Sequence, residues 1–180
     1  MKTMKRRINR FLNQWIDDRD GVAAVEAALI FPILLTLMLG TFDIGNGILA
    51  NQKTIRASQI VADLITRQRT VSEADIDEAV DGGRLAFETI SSDTYGVDIV
   101  SIRFDEDGDP EIAWRETRGM SPKADVLEAV ESLSEPNGGV VVVSVEYLFE
   151  PVFAGFVVDA IPMQEIAFAR GRKSAVVSRE

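Results

Sequence analysis

The chain has 180 residues, 46% of them hydrophobic, which suits one modest core, or a smaller core with a membrane anchor, and leaves no room for two full domains. Its 19 Lys+Arg against 29 Asp+Glu give a net charge of −10, so a nucleic-acid partner, which needs clustered cations for phosphate, is excluded, and an acidic partner surface is disfavoured. With no Cys and no His, disulfides, thiolate metal sites, Cys nucleophiles and Ser/His triads are all ruled out, and no metal or cofactor is expected.

Charge is unevenly spread. Residues 1–21 carry Lys2, Lys5, Arg6, Arg7, Arg10 and Arg19 against Asp17, Asp18 and Asp20, a net +3, which leaves −13 for the remainder. In this head Ile8, Phe11, Leu12, Trp15 and Ile16 recur at helical spacing among basic residues, which predicts a basic amphipathic helix on an anionic membrane face. A disordered basic tail is the alternative.

From Val22 to Phe42 the only charged residue is Glu26. At 1.5 Å per residue this run spans about 31 Å as a helix, the thickness of a bilayer core. A cleaved secretory signal has a shorter apolar region ending at a small-x-small site, and no convincing site follows here. A buried core helix is disfavoured by the basic head and by the scarcity of Lys and Arg beyond the span. Only Lys53 and Arg56 follow within 20 residues, so the positive-inside rule places the N-terminus in the cytoplasm and the body outside.

The helical pattern continues through Ile44, Ile48, Ile55, Ala62 and Ile65, which predicts one helix over about 22–69, its second half amphipathic. Pro32 and glycines 40, 45 and 47 are its weak points, where a bend or local melting is expected. Ser72 with Asp75 marks the start of a second helix, with Ile76, Val80, Phe87 and Ile90 on one stripe and Gly82-Gly83 weakening its middle.

The period then changes to two. Val100, Ile102 and Phe104, then Ile112 and Trp114, alternate with polar or small residues around an acidic Gly/Pro turn, a β-hairpin. Ser121-Pro122 is expected to cap a short helix with Val126, Leu127, Val130 and Leu133 inward. After the turn at 135–139, residues 140–149 form the strongest strand, with Val141, Val143, Val145, Tyr147 and Phe149 on one face. A last strand, about 164–170, alternates Ile166 and Phe168 with Ala167 and Ala169. The predicted fold is α+β: a long N-terminal helix, spanning the membrane and then amphipathic, packed on a small, mostly antiparallel sheet. Its organisation is a basic cytoplasmic leader (1–21), a transmembrane segment (22–42) and an extracytoplasmic domain (43–180).

The junction Gly21-Val22-Ala23-Ala24-Val25-Glu26 places a glycine at the end of a cationic head and a glutamate at the fifth position of the apolar span. It resembles the processing site of type IV prepilin-like proteins. More narrowly, residues 21–65 resemble the N-terminal signature of TadE-like pseudopilins of the tight-adherence (Flp) pilus system, at Gly21, Ala23, Val25, Glu26, Ala28, Leu29, Pro32, Asp43 and Gly45. Ala27 and Asp43 are mild departures, where Phe and Glu are commoner. The resemblance implies a pilin-like fold and cleavage between Gly21 and Val22 by a prepilin peptidase. It implies that Glu26 sets helix register in the assembly, and that the partners are other pilins or pseudopilins and an inner-membrane assembly platform, in the bilayer. With about 110 residues after the helix, a minor or priming subunit is expected rather than a major pilin. An unprocessed, N-in anchored periplasmic binding or sensing domain is the alternative, and a membrane enzyme is disfavoured.

Two further stretches stand out. Asp105, Asp107 and Asp109 alternate as in a calcium loop, but Pro110 stands where Gly is needed and strands flank the segment, so an acidic hairpin turn is expected. Residues 151–162 are unusually apolar for a loop (Val152, Phe153, Phe156, Val157, Val158, Ile161). Burial over the end of the sheet is expected, with a docking surface for a partner or the bilayer as the alternative.

Overall fold

The computed structural model describes residues 19–87 and 93–180. The amphipathic leader helix expected within residues 8–16, and Ile90 of the second helix, lie outside them. The chain divides into two compact units, residues 1–43 and 44–180. A single helix, α1 (Arg19–Thr66), runs across that division. It stays α-helical through Pro32, so the local melting expected there does not occur. One missing N–H removes a single rung of a 48-residue helix, a loss its neighbouring rungs tolerate.

Within the second unit, the C-terminal half of α1 is followed by β1 (Thr70–Val71), α2 (Glu73–Arg84) and a 3₁₀ turn at Leu85–Phe87. Four strands come next: β2 (Gly96–Phe104), β3 (Pro110–Arg118), β4 (Gly139–Phe149) and β5 (Ile161–Ala169). They form one sheet in the order β3-β2-β4-β5, antiparallel throughout. A short β6 (Ser178–Arg179) returns to pair parallel with β1. The α+β class, the order of elements and the β2–β3 hairpin agree with the sequence pattern.

Both faces of the sheet are covered. On one, Val97, Ile99, Val141, Val143, Val145, Tyr147 and Phe149 pack on Ala57, Val61 and Ile65 of α1 and on Ile76, Ala79 and Val80 of α2. On the other, Val100, Ile102, Phe104, Val140 and Val142 meet Val126 and Val130. This second cover consists of 3₁₀ turns at Ala124–Val126 and Glu128–Leu133, not the capped helix expected after Ser121-Pro122. No side chain caps its start, and a segment this short cannot recover the cost of helix nucleation, so contact with the sheet holds it instead.

The face that α1 turns to the sheet is only in part the expected one, with Ala62 and Ile65 buried as the pattern predicts. Ile44 and Ile48 are exposed and Ile55 is half-buried, while Ala50, Thr54, Ala57, Ser58, Val61, Ala62, Ile65 and Thr66 are buried. Small side chains let the helix approach the sheet closely, and their hydroxyls need no outside partner. Thr54, Ser58 and Thr66 each donate to a carbonyl of their own helix, on Ala50, Ile55 and Ala62.

The helix α2 starts at a complete capping box: Ser72 Oγ accepts from the Asp75 N–H, and the Asp75 carboxylate accepts from the Ser72 N–H at 2.9 Å. The Ser72 hydroxyl and N–H hold the Asp75 carboxyl below its ordinary value. Gly82 and Gly83 do not merely weaken this helix; they are its contact with α1. A Cβ on Gly83 would stand 2.6 Å from Val61 Cγ2 and 2.3 Å from the Tyr95 hydroxyl. Beyond it, Phe87 stacks on Tyr147 with centroids 4.7 Å apart.

The C-terminal tail forms part of the core. Val177 is buried, and its carbonyl accepts from Ser101 Oγ at 2.8 Å and from the Trp114 indole at 2.7 Å. These bonds explain how a serine sits fully buried in β2.

Candidate functional site

The apolar half of α1 exposes its side chains all round: Leu29, Phe31, Ile33, Leu34 and Leu37 are each well over half exposed. It is long and apolar enough to cross a membrane. Thr36 and Thr41 return their hydroxyls to the carbonyls of Pro32 and Leu37, both at 2.8 Å, so these two hydroxyls are bonded within the helix, as a lipid surrounding requires.

Gly21, Val22 and Glu26 lie in the first two turns of α1. Val22 and Glu26 are four residues apart and so share a helix face, and the helical Cα–Cβ tilt points the Glu26 side chain back toward Val22. Among the described residues an added Cβ on Gly21 meets nothing within 4 Å, so packing against them does not require glycine there. Ala23 with Ala27, and Ala24 with Ala28, make two small-xxx-small faces on the same turns. This arrangement supplies a carboxylate and smooth faces for neighbouring helices.

Residues 21–63 match the family model described as TadE-like protein. The N-terminal segment is TadE-like. Comparison with curated proteins and with solved structures gives no match. The TadE-like match starts at Gly21, the residue at the junction of basic head and apolar span, and ends three residues short of the end of α1, in the part packed on the sheet.

Two of the TadE-like positions lie at the division between the units. Asp43 is buried at 5% exposure, whereas a Cβ on Gly45 would meet nothing within 4 Å. The glycine in close contact is Gly47, where the Phe149 ring comes within 3.4 Å of a Cβ position and Met163 within 3.8 Å. That contact depends on the fold of the distant β4 and β5, so nothing in the local pattern of α1 singles out Gly47.

The acidic stretch at 105–109 is a hairpin turn. Asp105 Oδ1 accepts from the N–H groups of Asp107 and Asp109 at 2.9 and 2.8 Å, and Gly108 takes a positive φ of 89°. Among the described residues no group of three or more Asp and Glu is gathered as a metal site would need.

The sequence pattern missed one buried charge. Asp98 is fully buried in β2 and accepts from Arg115 and Thr117 of β3 and from the Lys123 N–H. Burial pushes its carboxyl up, but the bonds from Arg115, Lys123 and Thr117, with the charge of Arg115, outweigh that and hold it below the ordinary value. In the sequence it is one polar residue in a strand, indistinguishable from a solvent-facing one. Its role is to tie β2, β3 and the segment after β3 together.

The loop after β4 overturns its expected burial. Phe156 is 89% and Val157 74% exposed, and Val152, Val158 and Ile161 are exposed as well. On the adjoining β5 the alanines 167 and 169 and Met163 face the helix layer, while Ile166 and Phe168 face outward and are nearly half exposed. With α1 packed close, small side chains fit beneath this edge strand at 167 and 169.

Proposed function

We infer that the protein is a pseudopilin, a minor or priming subunit in assembly of a tight-adherence (Flp/type IVc) pilus. Residues 1–21 are a basic cytoplasmic leader, 22–42 cross the bacterial inner membrane, and 43–180 form a periplasmic domain on the continuation of the same helix. A prepilin peptidase cleaves between Gly21 and Val22. The new Val22 ammonium and the Glu26 carboxylate, within one helix or between neighbours, set the axial register of packed helices, while the small-residue faces allow close approach. The partners are other pilins or pseudopilins and the inner-membrane assembly platform. The protein is structural and not an enzyme.

One observation carries this function most strongly: the TadE-like match opens at Gly21, where the basic head gives way to a span with Glu26 at its fifth position. N-terminal analysis of the protein from membranes of a peptidase-positive host tests it. The expected mature chain begins at Val22. An intact Met1 points instead to an unprocessed, anchored periplasmic domain, and cleavage near Thr41 to a secreted one.

A further inference from the structure

The exposed loop between β4 and β5 is ordered, not frayed. The N–H groups of Val157 and Val158 both donate to the Ala154 carbonyl, at 2.9 and 2.8 Å, and the Pro151 carbonyl lies 2.7 Å from where a Cβ on Gly155 would stand, so the turn closes only over glycine. The closed turn presents Phe156 and Val157 outward, where water solvates them unfavourably.

Its place in the domain suggests what covers it. The loop leaves β4 at Phe149 and enters β5 at Ile161, a paired position, and Phe149 and Met163 at this end of the sheet are the residues against Gly47 of α1. The opposite end of the sheet, near Ala169 and Arg170, lies beside Ala62 and Thr66. Gly47 follows Phe42, the last residue of the apolar run, by five positions, a helix rise of about 7.5 Å. The polar headgroup zone on each side of a bilayer core is about 5–8 Å deep. By chain distance, this end of the sheet belongs at that zone. Glu150 and Asp159, at the two ends of the loop, suit headgroup water and limit the depth of entry.

We propose that the turn at 151–160 is a second membrane contact, in which Phe156 and Val157 enter the outer headgroup zone of the bilayer that holds residues 22–42. The contact sets how residues 44–180 lie against the membrane surface. It rests on membrane anchoring by α1 and is independent of processing and of pilus assembly.

The absence of cysteine makes single-site labelling direct. Full-length L35C, V157C and E106C each carry an environment-sensitive fluorophore, in nanodiscs of phosphatidylethanolamine with a minority of phosphatidylglycerol. They are quenched separately by nitroxide-labelled lipid and by aqueous iodide. The expected result is lipid quenching at 35 and 157 but not at 106, and loss of most iodide quenching at 157 relative to 106. Adding F156D to V157C should abolish lipid quenching at 157. Lipid quenching at 35 alone, with 157 as open to iodide as 106, overturns the loop contact and leaves the span intact. Shielding of 157 from both quenchers means a protein contact, such as a second copy, and also overturns it. No lipid quenching at 35 removes the anchor and the loop contact together. Lipid quenching at 157 that F156D leaves unchanged removes Phe156 from the contact and sinks the proposal as stated.

Discussion

The Asp98 carboxylate and the Arg115 guanidinium meet across β2 and β3 in a two-point contact, with Nε donating to Oδ1 at 2.9 Å and a terminal nitrogen to Oδ2. Arg115 also donates to the Lys123 carbonyl at 2.8 Å, so one side chain holds the strand and the connection that follows it. Removing one partner of such a buried pair leaves the other uncompensated, at about 3–5 kcal/mol. D98A is therefore expected to lower the urea midpoint of the full-length protein in detergent by that order, with the slope unchanged.

The same contact carries a pH dependence. The folded carboxyl of Asp98 lies below its unfolded value of 3.8, so the unfolded chain takes up the proton first as the pH falls. The stabilisation is complete well above 3.8 and is lost as the pH drops through the folded value. Urea titrations from about pH 7 down to about pH 3 should show a shallower acid decline for D98A than for the native chain. Equal slopes on the acid side would remove Asp98 as a contributor.

Gly82 and Gly83 should respond differently to the same substitution. The Cβ of G83A meets Val61 at 2.6 Å and the buried Tyr95 hydroxyl at 2.3 Å, with the Ala57 carbonyl at 3.4 Å behind them, and such overpacking costs about 1–3 kcal/mol. The Cβ of G82A meets only the movable ends of Leu64 and Ile60, at 2.9 and 3.5 Å, and gains up to about 1 kcal/mol of helix propensity. Thermal melting should place G83A clearly below the native chain and G82A close to it.

Loss of the capping box is a smaller effect. S72A removes the acceptor for the Asp75 N–H and the hydroxyl partner of its carboxylate, for an expected cost of about 1 kcal/mol. Hydrogen exchange should speed up over the first turn of α2 and leave β2 and β4 unchanged.

Under the proposed function, Glu26 acts in assembly and not in processing. E26A is expected to be cleaved after Gly21 like the native protein, while a bulky residue in place of Gly21 blocks cleavage. Mass spectrometry of the mature chain reads the first effect, and electron microscopy of the cells the second. A normally piliated E26A strain would remove the register role of Glu26.

Sequence alone determined the local and covalent features. The apolar run with Glu26 near its start, the capping residues Ser72 and Asp75, and the period-two strands are legible because each depends on neighbours a few residues away. Residues 21–63 are likewise recognisable as TadE-like from the order of residues. What tertiary structure decided is which surfaces meet. Large apolar residues at Ile44 and Ile48 suggest the core face of α1, yet a sheet approaching closely selects Ala50, Thr54, Ala57 and Ser58. Asp98 is buried because Arg115 and Lys123 come to it from other segments, and Phe156 is exposed because none of the described elements packs over the loop that carries it. Periodicity reports that a face is apolar or small; the space left by the other elements decides whether it is covered.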